Sequence, residues 1–383
     1  MTDPLDPGSA VGLYVHWPYC SRICPYCDFN VVRDRGRIEE QARLVRAILA
    51  DMAAQRTLTG PRRLASIFLG GGTPSLMDPA AVAAVIERAK ALWAPQGDIE
   101  VTLEANPTDA EAGRFSALAD AGVNRLSMGV QALDDASLKT LGRNHSAAEA
   151  VRAVGVARAA FQRLSIDLIY ARPGQTRAGW ADELARALDL GFEHVSPYQL
   201  TIEGGTAFGR AAARGTLVTP DEEAAAGLYE TTQQVLEAAG FDAYEVSNHA
   251  HGVAARSTHN LHVWRGGDYV GVGPGAHGRL TLGDARTATV AHRAIADYAA
   301  GAEAGAPWAD RTILSATEAD EERALLGLRT VEGVQEAALT RLGLDGRVEG
   351  LIQDGFLVRR DGRVVATARA RPVLDGVTRA LLA

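Results

Sequence analysis

Cysteine is scarce in this chain. The 383 residues include three, all between Cys20 and Cys27. An odd set packed into one short segment excludes a disulfide framework, which spreads an even number along the chain. Lysine is scarcer still: Lys90 and Lys139 are the only two among 39 basic residues, which argues against a Schiff-base lysine mechanism. No apolar run reaches the ~18 residues of a spanning helix. Met1-Thr2-Asp3-Pro4-Leu5-Asp6 has neither the basic start nor the apolar stretch of a signal peptide, so the chain is expected in the cytoplasm. With 39 basic against 47 acidic residues the net charge is −8, which argues against a nucleic-acid-binding surface. A 47% hydrophobic and 22% charged composition remains, that of a globular chain with a sizeable core. Its length suits two or three domains, or one large barrel with an appendage.

The three cysteines form Cys20-Ser-Arg-Ile-Cys24-Pro-Tyr-Cys27, a C-x3-C-x2-C spacing. One short loop of this kind can wrap three thiolates around a soft-metal centre: zinc, copper(I) or an iron–sulfur cluster. Zinc takes four protein ligands in a structural site, and His16 is available as the fourth. An iron–sulfur cube with three cysteines keeps one iron without a protein ligand, open to a small molecule.

Strand-like and helix-like segments alternate downstream. Gly12–Trp17, Ser66–Gly70, Ile99–Glu104, Arg125–Val130, Leu164–Tyr170 and His194–Leu200 are short, apolar or β-branched, and bounded by Gly, Pro or Asn. Ile38–Gln55, Ala80–Leu92, Ala178–Leu190 and Pro220–Ala239 carry helical periodicity. The alternation predicts an α/β chain with a parallel sheet, either a partial (β/α)6 TIM-like barrel or a doubly wound open sheet. Ala299–Pro307 reads as a linker. Beyond it, helices at Glu318–Leu328, Val334–Leu342 and Arg347–Asp354 precede a hairpin turning at Asp361-Gly362, the pattern of a winged-helix-like module. A structural or partner-binding cap is the expectation for it, rather than nucleic-acid binding. The resulting division is a tail (1–11), a barrel (12–240), an extension (241–306) and a C-terminal module (312–383).

Chemistry in such barrels collects after the strands. There the chain places Gly70-Gly71-Gly72-Thr73, Glu104, Gln131 and, further on, Arg143. Glycines allow backbone N–H groups to approach a ligand, or simply a tight turn. Asp167 lies within an apolar strand and needs partners if buried. His277, in a Gly-rich stretch, either lines a cofactor site or packs as a neutral ring.

The C-x3-C-x2-C loop, with Tyr26 before its last cysteine, resembles the signature of radical S-adenosylmethionine enzymes. The resemblance implies that Cys20, Cys24 and Cys27 hold a [4Fe-4S] cluster. S-adenosylmethionine then chelates the open iron, is cleaved to a 5′-deoxyadenosyl radical, and meets Gly71, Gly72 and Thr73 through its amino group. The order of Tyr14, Tyr26, Glu104, Gln131, Arg143 and Asp167 resembles one branch, the coproporphyrinogen III dehydrogenase (HemN) and HemW group, whose matching residues face this cofactor. HemN proteins carry a further cysteine where this chain has Phe29, and a longer segment before the loop. C-x3-C-x2-C-x-F is the HemW form, which implies a haem chaperone passing haem to a haem-requiring protein rather than porphyrinogen decarboxylation. The HemW marker H-N-x-x-Y-W matches His259-Asn260-Leu261-His262-Val263-Trp264 except at Val263. By the resemblance haem binds near His259, with His262 as substitute. The same resemblance implies that the cluster favours a homodimer or regulates haem transfer rather than running a radical cycle.

Overall fold

The computed structural model describes residues 9–383. The first eight residues of the expected tail lie outside that range, and Ala10 and Val11 already belong to the first strand, β1 (Ala10–Trp17). A two-residue parallel pairing follows between β2 (Tyr19–Cys20) and β3 (Val32–Arg33), closing the cysteine loop at its base. Five longer strands continue the chain: β4 (Arg63–Gly71), β5 (Pro95–Ala105), β6 (Arg125–Gln131), β7 (Arg163–Tyr170) and β8 (His194–Gln199). Each predicted strand core falls inside one of these, apart from Leu200 at the end of the last.

β1 and β4 to β8 pair in parallel, in chain order without reversal. A doubly wound sheet reverses its order at a switch point. This one does not, so crossovers of one hand place their helices on one face. The helices Ile38–Thr59, Pro79–Leu92, Ala147–Ala160 and Arg177–Leu188 cover it. The core lies between them and alternate strand residues such as Leu13, Ile67, Leu103, Met128 and Ile166, all essentially buried.

The region after 240 completes both edges. β9 (Asp242–Glu245) and β10 (Asn248–Ala250) continue past β8, whereas β11 (Tyr269–Val272) pairs in parallel with β1 and leads to the antiparallel β12 (His277–Leu282), β13 (Ala285–Ala291) and β14 (Trp308–Ile313). Among the described residues the sheet therefore has twelve strands and stays open.

The expected linker Ala299–Pro307 is corrected here. Its first half is the end of the helix Ile295–Glu303, with Ala299 and Ala302 buried against the main core. Its Ala/Gly composition serves close packing on the helix Ile38–Thr59, not flexibility. β14 pairs with β13 through Ile313, so the main sheet continues past residue 312, where the C-terminal module was expected to open.

The C-terminal module has its own core, including Leu328, Leu339, Val348, Val364 and Leu381. The helix Ala316–Leu328 is followed by β15 (Val334–Gln335), two short helices, and the hairpin of β16 (Leu357–Arg360) and β17 (Arg363–Ala366). Val334 is thus a strand residue rather than a helix start. Asp361 and Gly362 both take positive φ, 51° and 71°, as a two-residue hairpin requires. Among the described residues, no helix is long and apolar enough to cross a membrane.

One buried charge ties the β11 edge together. The Asp268 carboxylate accepts from Arg62, from Arg286 at 2.6 Å and from the Thr281 hydroxyl at 2.9 Å. Its carbonyl accepts from Gly12 N and from the His262 ring. Asp268→Asn leaves two buried guanidinium groups undercompensated and is expected to cost about 3–5 kcal/mol, read from the denaturant midpoint.

Candidate functional site

Strand alternation sorts the chemistry. The residues between the core positions point inward and are mostly polar: Ser66, Glu100, Thr102, Glu104, Arg125, Ser127, Ser165 and Asp167. They fill the two ends of the barrel interior differently.

At the N-terminal end, Glu100 is buried between Arg163 at 2.7 Å and Arg125 at 3.9 Å. It also accepts from His259 N at 2.9 Å, Thr258 N at 3.0 Å and the Ser257 hydroxyl at 3.3 Å. The helix Thr258–Trp264 thus rests its first turn on this carboxylate and plugs the barrel. Despite burial, the two guanidinium groups hold Glu100 below the usual carboxylate range.

At the C-terminal end a cavity of about 530 Å³ opens. Its wall includes Cys20, Cys24, Cys27, Tyr26, Gly71, Gly72, Thr73, Glu104, Gln131, Arg143 and Asp167. The glycine turn allows this geometry. Gly71 has φ +105°, and a Cβ there would lie 2.5 Å from the His16 ring; one on Gly72 would lie 2.7 Å from the Tyr19 carbonyl. Gly71 N donates to Glu104 Oε2 at 3.0 Å. Gln131, with φ 67°, is a non-glycine residue in the left-handed region, at an irregularity of β6.

Arg143 binds the wall together. Its guanidinium donates to the Gly129 carbonyl at 2.9 Å, to Cys24 Sγ at 3.3 Å and to the Tyr26 hydroxyl at 3.4 Å, and also reaches Asn106. Loss of solvent, reinforced by Asp167, pushes Glu104 up to about 7. Burial likewise raises Asp167 to about 6, against hydrogen bonds from Ser196 and Ser127. Two carboxylates that resist ionising side by side gain from a cationic ligand. Among the described residues, Gln131 Oε1 and Arg143 Nε are buried without a hydrogen-bond partner.

These donors fit a cluster and its small-molecule ligand better than a zinc ion. His16, the alternative fourth ligand, has both ring nitrogens engaged. Nε2 donates to the Asn30 carbonyl at 2.9 Å, and Nδ1 accepts from the Tyr14 hydroxyl at 2.9 Å. A cubane offers separate irons to separate thiolates, whereas zinc needs them at a single centre.

Two expected site residues stand apart from the cavity. Tyr14 is in β1 beneath the glycine turn and supports His16. His259 lies at the opposite end of the barrel, 5% exposed, bonded through Nδ1 to Ser66 Oγ at 2.9 Å and stacked on Phe68 at 5.1 Å. Burial lowers its pKa to about 3. His262 is also engaged, and His277, at the start of β12, is exposed and lines neither end. The rest of the H-N-x-x-x-W segment does reach toward the site. Asn260, Val263 and Trp264 line a smaller pocket of about 180 Å³ that shares Tyr198 and Ser247 with the main cavity. Sequence reasoning missed Asn106, Ser127, Tyr198 and Ser247. Asn106 and Tyr198 lie at the ends of strands already identified, and that position was their signal, while Ser127 lies on the inward face of β6.

Comparison with known proteins places the chain. Residues 14–187 match the Radical SAM superfamily. The heme chaperone HemW of Mycobacterium tuberculosis H37Rv is 35% identical over 382 residues, covering 98% of this chain and 96% of that protein. HemW of Escherichia coli is 39% identical over 277 residues, 72% of each chain. The mouse mitochondrial radical S-adenosyl methionine domain-containing protein 1 is 46% identical over 282 residues, and the chain spans 63% of that relative's length. Coproporphyrinogen III oxidase (HemN) from Escherichia coli shares the fold, with a TM-score of 0.80 over 97% of this chain and 90% of that one at 19% identity. With a cysteine loop, a glycine turn and paired carboxylates around one cavity, and with these relatives, the chain belongs to the HemW family of the radical S-adenosylmethionine superfamily.

Proposed function

We propose that this protein is a haem chaperone whose barrel holds a [4Fe-4S] cluster and S-adenosylmethionine, and which delivers haem to a haem-requiring protein, in the cytoplasm. The supporting observation is the convergence of three thiols, a glycine turn, two carboxylates and Arg143 on one cavity. Cys20, Cys24 and Cys27 would hold the cluster, which when bound supplies an open iron and an electron. The remaining groups match S-adenosylmethionine by charge. Glu104 and Asp167 complement its ammonium and sulfonium, and Arg143 complements its carboxylate. The Gly71–Thr73 turn brings backbone within reach, and Gln131 Oε1 offers an unused acceptor.

Phe29 favours the chaperone over the porphyrinogen oxidase. It stands at the cavity wall, 62% exposed, where a fourth thiol would otherwise be available. The test is anaerobic. The reconstituted protein is expected to bind haem stoichiometrically, seen in the Soret band, and to yield no protoporphyrinogen IX from coproporphyrinogen III, reductant and S-adenosylmethionine. Product at catalytic levels would replace this reading with the oxidase. Cys24→Ser is expected to abolish the visible absorbance of the cluster, and full retention would remove Cys24 from the ligand set.

The paired carboxylates set a pH dependence. Their pKa values, about 7 and about 6, lie above those of free carboxylates. Ionising them inside the folded chain is therefore costly, and the stability this protonation provides is lost as pH rises through those values. A cationic ligand reverses the penalty. S-adenosylmethionine affinity is expected to rise from pH 5.5 to pH 8 by titration calorimetry. Glu104→Gln is expected to flatten that rise and, without ligand, to raise the melting temperature at pH 8 but not at pH 4.

A further inference from the structure

A second cavity, of about 540 Å³, lies behind the cysteine loop. The segment after Cys27 is the wall between the two. Val31 lines the cavity with the thiols, while Val32 and Arg33 line the other. Asn30 fastens this wall: its amide donates to the Pro274 and Arg293 carbonyls at 2.9 Å each, and its own carbonyl accepts from His16.

The second cavity is basic in an acidic protein. Five arginines line it against one acid, Glu40. Arg37 pairs with Glu40 at 3.2 Å and Arg43 with Glu303 at 2.9 Å. Arg33, Arg35 and Arg293 form no ion pair among the described residues. All three are exposed, which avoids the cost of burying unpaired charge. Between them the wall is apolar, with Val32, Leu44 and Ile295. Unpaired guanidinium groups beside an apolar floor suit a ligand that is itself divided, an apolar body bearing carboxylates.

We infer that this cavity seats the haem cargo, with Arg33, Arg35 and Arg293 gripping its propionates and the apolar wall receiving the macrocycle. The inference rests on the chaperone reading and gives that reading a location which His259, sealed at the far end of the barrel, does not offer. Haem held by its carboxylates keeps its iron available to the acceptor's own ligand, as a cargo must. Because Arg33 pairs in register with Cys20, the haem seat and the cluster loop share one backbone wall.

The experiment compares haem with haem dimethyl ester, in which the propionates are capped, on cluster-reconstituted full-length protein. The parent is expected to bind the ester at least about tenfold more weakly than haem, the worth of a charge-assisted pair. Arg33→Gln/Arg293→Gln is expected to lose the same factor for haem and to stop distinguishing the two, with S-adenosylmethionine affinity and cluster absorbance unchanged. Ala296→Trp, which fills the cavity without altering charge, is expected to weaken both ligands and serves if the arginine variant melts early. If the parent binds haem but both variants bind it equally well, the seat is elsewhere and the chaperone reading survives. If the parent binds no haem, the chaperone reading fails and this inference with it.

Discussion

A single buried carboxylate organises the barrel interior. Glu100 neutralises Arg125 and Arg163 and at the same time caps the first turn of the helix Thr258–Trp264. Carboxylates favour helix N-termini, where backbone N–H groups lack partners. That helix is contributed by a segment 158 residues distant in the chain, a separation that no local signal spans. With Glu100 in place the two guanidinium groups at the lower end of the interior are neutralised and the helix closes that end. The polar face continues upward to Glu104 and Asp167, where neighbouring donors and charges offset burial only in part, and there the cavity opens.

The contrast between the two ends explains the division of labour among similar residues. Glu100 and Glu104 are separated by four positions on the same face of the same strand. One is held ionised by two cations, and the other is pushed up by burial beside a second acid. Environment, not residue type, makes the first a structural anchor and the second a group ready for a cationic ligand. The histidines divide in the same way. His16, His259 and His262 each have ring nitrogens in local hydrogen bonds, and burial lowers all three.

The cysteine loop is the junction of the upper end. Its base is the short β2–β3 pairing, its tip is held by Arg143 on Cys24, and its return segment separates two cavities of similar size but different character. One is lined by thiols and carboxylates, the other by arginines. A loop that forms part of both walls can make the contents of one sensitive to the other without a separate moving domain.

Much of this was legible in the sequence because it is local. The strand cores follow from β-branched runs bounded by Gly, Pro and Asn, and the hairpin from Asp361-Gly362, where two positive φ angles are required. The thiol loop and the glycine turn are short motifs whose chemistry depends on spacing alone. Position at strand ends also located Glu104 and Gln131, since parallel strands present those ends to one side, and Asp167 stood out as a carboxylate inside an apolar strand. The tertiary structure alone decided the rest. Ala299–Pro307 resembles a linker by composition, yet small residues also permit close helix packing, and only the neighbouring helix distinguishes the two. Tyr14 and His259 carry the same side chains wherever they lie, but pairing and burial place one beneath the turn and the other in the opposite end of the barrel. The arginine-lined cavity joins residues 33–43 to residues 293–299, and it exists only because β11 pairs with β1 and carries that helix alongside the first. Periodicity and spacing report what a segment does to itself; burial, charge compensation and cavity shape depend on which distant segments the sheet brings together.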